Sequence, residues 1–502
     1  MSKKSQFPHP HFTSKTSYPW YIVAVVCIGA TMSALDVSIV NIAMPTIKSY
    51  YNISMAQVEW TAIAYMMGLT VALPVFGRLS DMYGRVRLYN WGFVFFTIFS
   101  VMCGAAPSVN FLIVSRALQS MGAGLLQGNS IAIIAAAVPV YDRGKAIGIQ
   151  GGVQAVAMAL GPTVGGVLIT YFGWRSIFYV NLPIGIIGTI AALLILPRDQ
   201  QLKKESIDYM GTALFTAGLI CLVLGFNKLD KLGLNSPAIH LYFAAAIAAL
   251  ILFVITELKV KHPLVDLRLF KNFIFWSGTF KGMLNFYAFF GLLFLAPFYM
   301  ERVLGYSVEA TGGLLSAIPI AMAVAAPFAG GVTDKRGFRL MTTLGMLIGA
   351  VASFMLVLMG RAVHPFLIVA VFILFGLSRG FFTPANNTAV MGATPKDKLS
   401  VAGGLLNMAR SLGLIFGVDI SGLLFASLEH GYVSKMGFQN VAHIFKNQSI
   451  PAAIKTDAFM KGFIVVMLTF VLLDLTSSFI SSLRNAKPDL EAIQAAKELE
   501  GA

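Results

Sequence analysis

Ionisable residues inside long apolar stretches are the feature of this sequence with the clearest chemical meaning. The six that matter most are Asp36, Arg116, Arg379, Arg410, Asp419 and Asp474. In the hydrocarbon of a bilayer a charged side chain costs several kcal/mol unless it faces a partner or a water-filled cavity. A carboxylate in such a place exchanges protons or holds cations, and a nearby arginine stabilises its charged form. The pattern predicts proton or ion chemistry within a membrane.

The charges of the first half each have two interpretations. Asp36 either binds a proton in alternation with a cationic substrate, or locks its helix through a hydrogen bond with Ser33 or Asn41. Arg116, with Gln119 three residues on, either sets the proton affinity of a neighbouring carboxylate or braces helices through their carbonyl groups. Neither interpretation lets these side chains face lipid.

The charged residues of the second half also have more than one interpretation. Asp419, in the segment RSLGLIFGVDISG, suits a cationic substrate or a second proton, or else forms a structural pair with Arg410 or Arg379. Nine residues separate Asp419 from Arg410, which puts the two on opposite helical faces. Asp474 lies in the last apolar segment, where pairing with a neighbouring helix is the simpler expectation.

Length and composition identify the elements that must position these residues. Of 502 residues, 57% are apolar and 12% are charged, against roughly 45–50% and 25% in soluble proteins. At roughly 20 residues per span, the chain fits an all-α polytopic membrane protein and no sizeable extramembrane catalytic domain. Fourteen spans are predicted, at 20–43, 57–77, 89–106, 110–135, 146–171, 177–197, 208–226, 238–256, 273–299, 310–332, 340–360, 366–390, 402–427 and 459–483.

The net charge of +15 is a topology signal. The N-terminal tail, the even-numbered loops and the C-terminal tail carry 23 of the 37 Lys and Arg residues, whereas the odd-numbered loops carry 10, counting Lys461 with the loop it borders. By the positive-inside rule both termini are cytoplasmic, in a plasma membrane or a bacterial inner membrane. Because membrane topology explains the basic residues, nucleic-acid binding is not needed to explain them.

Motifs for enzymatic chemistry are missing from the sequence. Cys27, Cys103 and Cys221 each lie in an apolar segment without the spacing of a metal site or a disulfide framework, and no GxxxxGK[ST] motif occurs. The first apolar segment is too long for a cleaved signal peptide. We therefore expect no enzyme, no cofactor and no direct use of ATP as the energy source. The longest loop, 430–458, is either an ordered external hairpin or a passive connector.

An internal repeat divides the chain. GRLSDMYGRVR follows span 2 and GGVTDKRGFR follows span 10, so that Gly77 and Asp81 match Gly330 and Asp334 at an offset of 253 residues. Both copies leave an even-numbered span, as expected for parallel repeats of a transporter. The predicted 6 + 2 + 6 organisation has an N-terminal tail at 1–19, a first bundle at 20–197, two additional helices at 198–272, a second bundle at 273–483 and a C-terminal tail at 484–502.

Several motifs occur in order along the chain: LDVSIVNIAMP in span 1, SRALQSMGAG in span 4, WRSIFYVNLPIG at 174–185 and HPLVDLRLF at 262–270. Together with the loop repeat they resemble the fourteen-helix drug:proton antiporter family of the major facilitator superfamily, from span 1 to span 13. The sequence departs from the family pattern at Met82, where a basic residue is usual, and at Ser120 and Ala157, where glycine is usual.

The resemblance implies roles for two groups of residues. The antiporter motif in span 5 implies an interface between the two halves, since glycine allows close approach and proline removes a helix hydrogen bond. Its residues here are Gly148, Gly161, Pro162, Gly165 and Gly166. The loop motif implies a charge-assisted contact between helix ends that breaks during transport. Its residues here are Gly77, Asp81, Gly84 and Arg85, with Asp334 in the second copy.

The resemblance also implies a function. The expected protein exports lipophilic, cationic compounds in exchange for protons by alternating access, with small lipophilic substrates, protons and the bilayer as its partners. Phe286 and Tyr287 of span 9 are expected to line its cavity. Two alternatives stay open: export of one dedicated metabolite, such as an amino acid, a siderophore or a lipid precursor, and a non-transporting membrane partner protein. The sequence does not identify any adaptor or outer-membrane partner.

Overall fold

The computed structural model describes residues 17–199, 208–233, 236–260, 263–361, 363–438 and 451–483. Within these ranges the chain is helical, with turns and two short 3₁₀ segments between the helices and no β-strand. Fourteen helical segments are long and apolar enough to cross a membrane, in agreement with the predicted number. The fold class predicted from composition and hydropathy is therefore confirmed.

Sixteen α-helices make up the fourteen spans, because α6 with α7 forms the sixth span and α11 with α12 forms the tenth. Their bounds are α1 Tyr18–Tyr51, α2 Met55–Tyr83, α3 Arg85–Gly104, α4 Val109–Ala137, α5 Arg143–Phe172, α6 Ser176–Tyr179, α7 Asn181–Ile195, α8 Tyr209–Leu232, α9 Pro237–Lys259, α10 Phe273–Arg302, α11 Val308–Leu315, α12 Ala317–Arg336, α13 Phe338–Leu358, α14 Pro365–Gly392, α15 Leu399–Lys435 and α16 Ala452–Ser482.

The helices pack in two groups. In the first, α4 packs against α2, α3 and α1, while α5 packs against α1 and α7 against α3. In the second, α14 packs against α12 and α13, α15 against α10, and α16 against α13. Helices α8 and α9 pack on each other, and α8 also contacts α2 and α15. We refer to the groups α1–α7 and α10–α16 as the first and second halves.

The most extensive contacts between the halves are made by two pairs of helices, α5 with α12 and α2 with α15, and α4 with α15 and α5 with α14 add to them. The two pairs are equivalent under the internal repeat, because α2 and α12 carry the two copies of the loop motif and α5 and α15 are the fifth spans of their halves. Backbones approach closely there. A Cβ atom at Gly77 would lie 2.7 Å from the carbonyl oxygen of Ser400, and one at Gly330 would overlap the carbonyl oxygen of Gly144.

Turns between consecutive spans rely on glycine where the backbone needs a positive φ. Gly84 joins α2 to α3 with a φ of 106°, and Gly337 joins α12 to α13 with a φ of 80°. A side chain at either position would be strained. Gly84 also leaves room for the carboxylate of Asp199, which accepts hydrogen bonds from the backbone N–H groups of Val86 and Arg87 at 3.0 Å each. This contact ties the end of the first half to the start of α3.

Parts of the predicted organisation lie outside the described residues. These are residues 1–16 of the N-terminal tail, 200–207 of the linker before α8, 439–450 of the long loop and 484–502 of the C-terminal tail. Helices α15 and α16 extend into the predicted loop 430–458 from both sides, reaching Lys435 and beginning at Ala452. The boundaries proposed for the five segments of the chain stay a prediction.

Candidate functional site

A buried ion pair occupies the middle of the first half. Arg116 of α4 donates from Nη1 to Oδ2 of Asp36 on α1 at 2.6 Å, and both side chains are about 1% exposed or less. Gln119 donates from Nε2 to Oδ1 of Asp36 at 3.0 Å and accepts from Arg116 at 2.7 Å. The three residues predicted for this half therefore meet at one centre.

Two further helices complete this centre. Asn181, the first residue of α7, donates to Oδ1 of Asp36 at 3.3 Å and to Oγ of Ser100 at 3.0 Å. From α2, the carbonyl oxygen of Thr61 accepts from Nε of Arg116 at 3.3 Å, and the Tyr65 ring lies 4.1 Å from the guanidinium carbon. Five helices thus share one polar network, since Ser100 belongs to α3, and this network offsets the cost of burying two charges.

Of the alternative partners considered for Asp36, Ser33 makes its described hydrogen bonds elsewhere. The Ser33 hydroxyl donates to the carbonyl groups of Gly29 and Ala30 on its own helix. The Asn41 side chain is outside the described part of the structure. Asp36 is therefore engaged between helices, which the sequence alone left undecided.

A second buried ion pair lies in the second half. Arg379 of α14 and Asp474 of α16 approach to 3.6 Å between Nη1 and Oδ2, and each is 1% exposed. Nη1 of Arg379 also donates to Oγ of Ser378 at 2.8 Å, and the Phe375 ring lies 4.3 Å from the guanidinium carbon. Asp474 does pair with a neighbouring helix, and its partner is Arg379. The pairing of Asp419 with Arg379 that the sequence left open is not formed among the described contacts.

A cavity of about 650 Å³ lies between the halves. Helices α5, α10, α12, α14 and α15 supply most of its wall, and α11 borders it farthest from the Asp81 and Asp334 motifs. Its polar lining side chains are Gln150, Gln154, Thr163, Ser316, Thr383, Asn387, Asn407 and Arg410. Pockets of 300–1,000 Å³ accommodate drug-sized molecules. This cavity is the candidate substrate site.

Charged residues are distributed unevenly around the cavity. Arg410 lines it, and its guanidinium donates to Oε1 of Gln154 on α5 and lies 4.8 Å from the centre of the Phe286 ring. Asp419 is half-buried on α15, on the opposite helical face from Arg410, and is not among the residues that line the cavity. Asp36 and Asp474 are also absent from the described lining.

The structure places one of the two aromatic residues expected at the cavity among its lining residues. Phe286 lines the cavity together with Phe289. Tyr287 instead turns into the second half, where its ring meets the Phe470 ring edge-on at 5.7 Å. Consecutive residues of a helix are rotated by about 100°, and in α10 this rotation directs Tyr287 toward Phe470 and not toward the cavity.

Asp81 of α2 joins the first half to the start of α15 in the second half. Its carboxylate accepts from the backbone N–H groups of Ser400 at 3.1 Å and Val401 at 3.0 Å, which begin α15 of the other half. It also accepts from Arg85 at 2.9 Å, and Arg85 donates to the carbonyl of Lys396 at 2.6 Å. The first N–H groups of a helix lack intrahelical partners and carry partial positive charge, so a carboxylate stabilises them.

Asp334 makes the equivalent contact in the opposite direction. Its carboxylate accepts from the backbone N–H groups of Gly144 at 2.7 Å and Lys145 at 2.9 Å, at the start of α5 in the first half. Each half thus caps the fifth span of the other. We call these two contacts the Asp81 latch and the Asp334 latch. By the distribution of basic residues they lie at the predicted cytoplasmic end.

An ion pair made by the HPLVDLRLF segment lies beside the Asp81 latch. Lys398, just before α15, pairs with Asp266 of the connection between α9 and α10. Partial burial alone would raise the pKa of Asp266, but Lys398 and the backbone N–H of Arg268 more than offset burial, so that pKa lies below its ordinary value. The two additional helices are thereby fastened to the second half.

The antiporter motif does not form a continuous interface between the halves. A Cβ atom at Gly148 would overlap the carbonyl oxygen of Ala326 on α12, so this glycine does face the other half. Gly161 and Gly165 instead pack on Ser38 and Ile39 of α1 within the same half. Nothing lies within 4 Å of a Cβ atom added at Gly166, and Pro162 lines the cavity.

That division is a correction of the sequence-based expectation. Helix α5 presents its residues to different neighbours: Gly148 and Gly152 face Ala326 and Ala323 of α12, whereas Gly161 and Gly165 face α1. The prediction from the motif concerned one interface, whereas α5 has two. Spacing within a motif does not tell which helix each glycine meets.

Sequence reasoning missed three polar groups of the site. Asn181 completes the Asp36 network, Gln154 bridges α5 to Arg410, and Asp199 caps α3. Asn181 and Gln154 are uncharged amides inside apolar spans, and that signal was present in the sequence. An amide in a membrane span needs a hydrogen-bond partner, so such residues deserve the same attention as charges.

Comparison with known families agrees with this architecture. The family model described as Major Facilitator Superfamily matches residues 26–418. The chain belongs to that superfamily. The superfamily and its fold are those of transporters and not of enzymes, and the protein is a multi-pass membrane protein.

Several relatives have names connected with transport and resistance. A riboflavin transporter of Clostridioides difficile is 33% identical over 410 residues, covering 81% of this chain and 88% of the relative. A tetracenomycin C resistance and export protein of Streptomyces glaucescens is 30% identical, covering 82% and 76%. A multidrug transporter of Bacillus subtilis is 28% identical, covering 81% and 75%.

Solved structures of this superfamily share the fold at low sequence identity. The human organic anion transporter MFSD10 matches with a TM-score of 0.63 at 14% identity, covering 92% of this chain and 99% of that one. The proton:xylose symporter XylE matches with a TM-score of 0.65 at 15% identity, covering 95% and 99%. These likenesses concern the fold alone.

Proposed function

We propose that this protein is a proton-coupled exporter of lipophilic compounds that works by alternating access in a plasma membrane or a bacterial inner membrane. The observation that carries the proposal is the Asp36–Arg116 pair, a titratable carboxylate held by an arginine deep within a spanning helix. Resistance, export and multidrug names among relatives support the same function. Energy comes from the proton gradient, without a further cofactor.

Protonation of Asp36 is the proposed coupling step. A neutral carboxyl loses its electrostatic attraction for Arg116, which weakens the contact between α1 and α4. Two and three residues after Asp36 lie Ser38 and Ile39, the residues of α1 that contact Gly161 and Gly165 of α5. Helix α5 carries Gln154, Met158 and Pro162 into the cavity, so movement of α1 is passed to the substrate site through direct packing.

Release of the two latches is the second part of the proposed cycle. With both latches formed, the two halves are joined at the end that carries Asp81 and Asp334. Access from that end requires the N-termini of α5 and α15 to leave these carboxylates. Each latch is a charge-assisted cap of about 0.5–2 kcal/mol, small enough to break in a transport cycle.

The charge of the substrate is a separate question from the transport mechanism. A preference for cationic compounds was expected because of Asp36 and Asp419, but neither residue is among the described residues that line the cavity. We therefore keep lipophilic compounds as the proposed substrates and do not assign their charge from Asp36 or Asp419. For Asp419 a role in substrate charge selection stays a prediction.

A second candidate function is the export of one dedicated metabolite by the same mechanism. The relative named riboflavin transporter favours it, at 33% identity over 81% of this chain. A non-transporting membrane partner is the remaining alternative, and the described cavity between two latched halves argues against it because such a protein needs neither feature.

Flux through reconstituted liposomes tests the proposal. Purified protein in liposomes with an imposed pH gradient is assayed with ethidium, Nile red, fluorescein and riboflavin, together with Asp36→Asn and the acid-retaining variant Asp36→Glu. We expect gradient-driven movement of at least one dye, loss of it in Asp36→Asn and partial retention in Asp36→Glu. Movement of riboflavin alone would favour the dedicated exporter, and movement of no compound would contradict both transport functions.

A further inference from the structure

The central cavity carries one kind of charge. Arg410 is the one charged side chain among the described residues that line it, and the remaining polar groups are neutral amides and hydroxyls. Three described carboxylates within the spans do not line the cavity. Asp36 pairs with Arg116, Asp474 pairs with Arg379, and Asp419 lies on the face of α15 opposite to Arg410. A molecule in the cavity therefore meets a positive charge.

The surroundings of Arg410 describe the shape of a suitable ligand. Its guanidinium lies 4.8 Å from the centre of the Phe286 ring, which is itself stacked with Phe290 at 6.2 Å and 27°. Phe289 adds a second aromatic wall. A flat aromatic molecule can pack against such rings, and a guanidinium presents a planar set of donors that matches an anionic oxygen pair.

Neutral amides surround this aromatic and cationic surface. Gln150, Asn387 and Asn407 line the cavity and each offers both a donor and an acceptor. They solvate carbonyl and hydroxyl groups of a ligand without favouring either sign of charge. The sign is therefore decided by Arg410, whose interaction is strengthened because little water competes in a membrane-embedded cavity.

The contact between Arg410 and Gln154 connects the two halves. Arg410 is on α15 of the second half and donates to the side-chain oxygen of Gln154 on α5 of the first half. An anionic ligand group competes with that oxygen for the same guanidinium. Binding of such a ligand therefore replaces a bridge between the halves, which ties recognition of charge to their relative movement.

We propose that Arg410 makes the cavity selective for planar aromatic anions, and that these ligands displace Gln154 from the guanidinium. The inference rests on the proposed export function for its physiological meaning, since it names the substrate class of the same cavity. It replaces the expectation of cationic substrates by one based on the residues that line the site.

Two dyes with the same ring system test it. Fluorescein and rhodamine 6G share a xanthene core and are anionic and cationic at neutral pH. Their binding to the full-length protein in nanodiscs is measured by fluorescence anisotropy, without a proton gradient. We expect fluorescein to bind more tightly, and Arg410→Gln to weaken it about ten- to hundredfold, with Arg410→Lys intermediate and rhodamine 6G binding unchanged or tighter.

Two control variants separate an effect at the binding site from a general effect of changing the protein. Lys48→Gln removes one positive charge from an exposed position on α1 and should leave both affinities unchanged. Gln154→Ala should keep or strengthen fluorescein binding, because it removes the competing acceptor. Tighter binding of rhodamine 6G by the native protein, fluorescein binding that is equal in Arg410→Gln, or binding of neither dye overturns the inference.

Binding and transport fail independently. Arg410-dependent binding of fluorescein without gradient-driven flux would preserve the site and contradict proton-coupled export. Gradient-driven flux of ethidium or Nile red with no Arg410-dependent binding of fluorescein would preserve export and reject the anion selectivity.

Discussion

The two buried ion pairs differ in how completely the protein surrounds them. Asp36 and Arg116 are 2.6 Å apart and share hydrogen bonds with Gln119, Asn181 and the carbonyl of Thr61, contributed by four helices in all. Arg379 and Asp474 are 3.6 Å apart. Among the described contacts, Nε and Nη2 of Arg379 and Oδ2 of Asp474 have no hydrogen-bond partner.

The difference teaches that equal burial and equal charge do not produce equal sites. In the second half, α13 approaches the pair with Gly349, whose missing side chain leaves Asp474, Ser378 and Arg379 within 2.8 Å of an added Cβ position. Where the first half contributes polar side chains, the second contributes close backbone packing. More hydrogen bonds to a buried ion pair offset more of the cost of burying its charges, so the surroundings stabilise the first pair more than the second.

The largest expected effect separates the pairs by function. Asp36→Asn should reduce gradient-driven dye flux to the level of empty liposomes, because the proposed proton site is lost. Asp474→Asn should retain most of the flux. Binding of the transported dye should change little in either variant, since neither residue lines the cavity. Equal loss of flux in both variants would show that the two halves contribute alike to coupling.

Stability should separate the pairs in the same order. Removing one partner of a buried pair leaves an uncompensated charge and costs about 3–5 kcal/mol of the free energy of unfolding. We expect Asp36→Ala to reach this range and Asp474→Ala to cost less, because fewer hydrogen bonds are lost. Thermal unfolding in detergent measures both. The double variant Asp36→Leu with Arg116→Leu should recover part of the loss, and a larger loss for Asp474→Ala would reverse the comparison.

Gly349 provides a smaller perturbation of the second pair alone. Gly349→Ala puts a methyl group 2.6 Å from both Oδ2 of Asp474 and Oγ of Ser378, so we expect a destabilisation of about 1–3 kcal/mol. Gly166→Ala is the matched control, because nothing lies within 4 Å of its Cβ position and alanine favours a helix. Equal melting temperatures for both variants would mean that the packing around Asp474 yields easily.

The two latches allow the smallest and most symmetric test. Asp81→Ala and Asp334→Ala each remove one charged helix cap of about 0.5–2 kcal/mol and should shift the protein toward a state open at that end. Spin labels at Tyr83 and Lys396, exposed positions on opposite sides of the Asp81 latch, report the separation. Both variants should broaden or lengthen the measured distance. A change in only one would show that the latches are unequal despite their shared geometry.

Much of the architecture followed from sequence because hydropathy and charge act locally. A bilayer demands about 20 apolar residues per span, so fourteen spans were recognisable from the chain itself, and the number agrees with the structure. The repeated Gly and Asp of the two loops indicated related halves, and the equivalent caps made by Asp81 and Asp334 follow that relation.

Partners and directions depended on the packing of helices. Sequence brought Asp36, Arg116 and Gln119 forward as candidates, but Asn181 entered the network only because the start of α7 packs beside α1. Tyr287 was assigned to the cavity and turned away from it, and the antiporter glycines were assigned to one interface and serve two.

The sequence by itself determined which residues must avoid lipid, since the free energy of burying a charge depends on the residue and its position in a span. Tertiary structure decided which of those charges face one another and which face the cavity, because that depends on the rotation of each helix about its axis and on its neighbours. Asp36, Asp419 and Arg410 look alike as intramembrane charges in the sequence. Of these three, Arg410 alone lines the described cavity, because α15 turns that face toward α5.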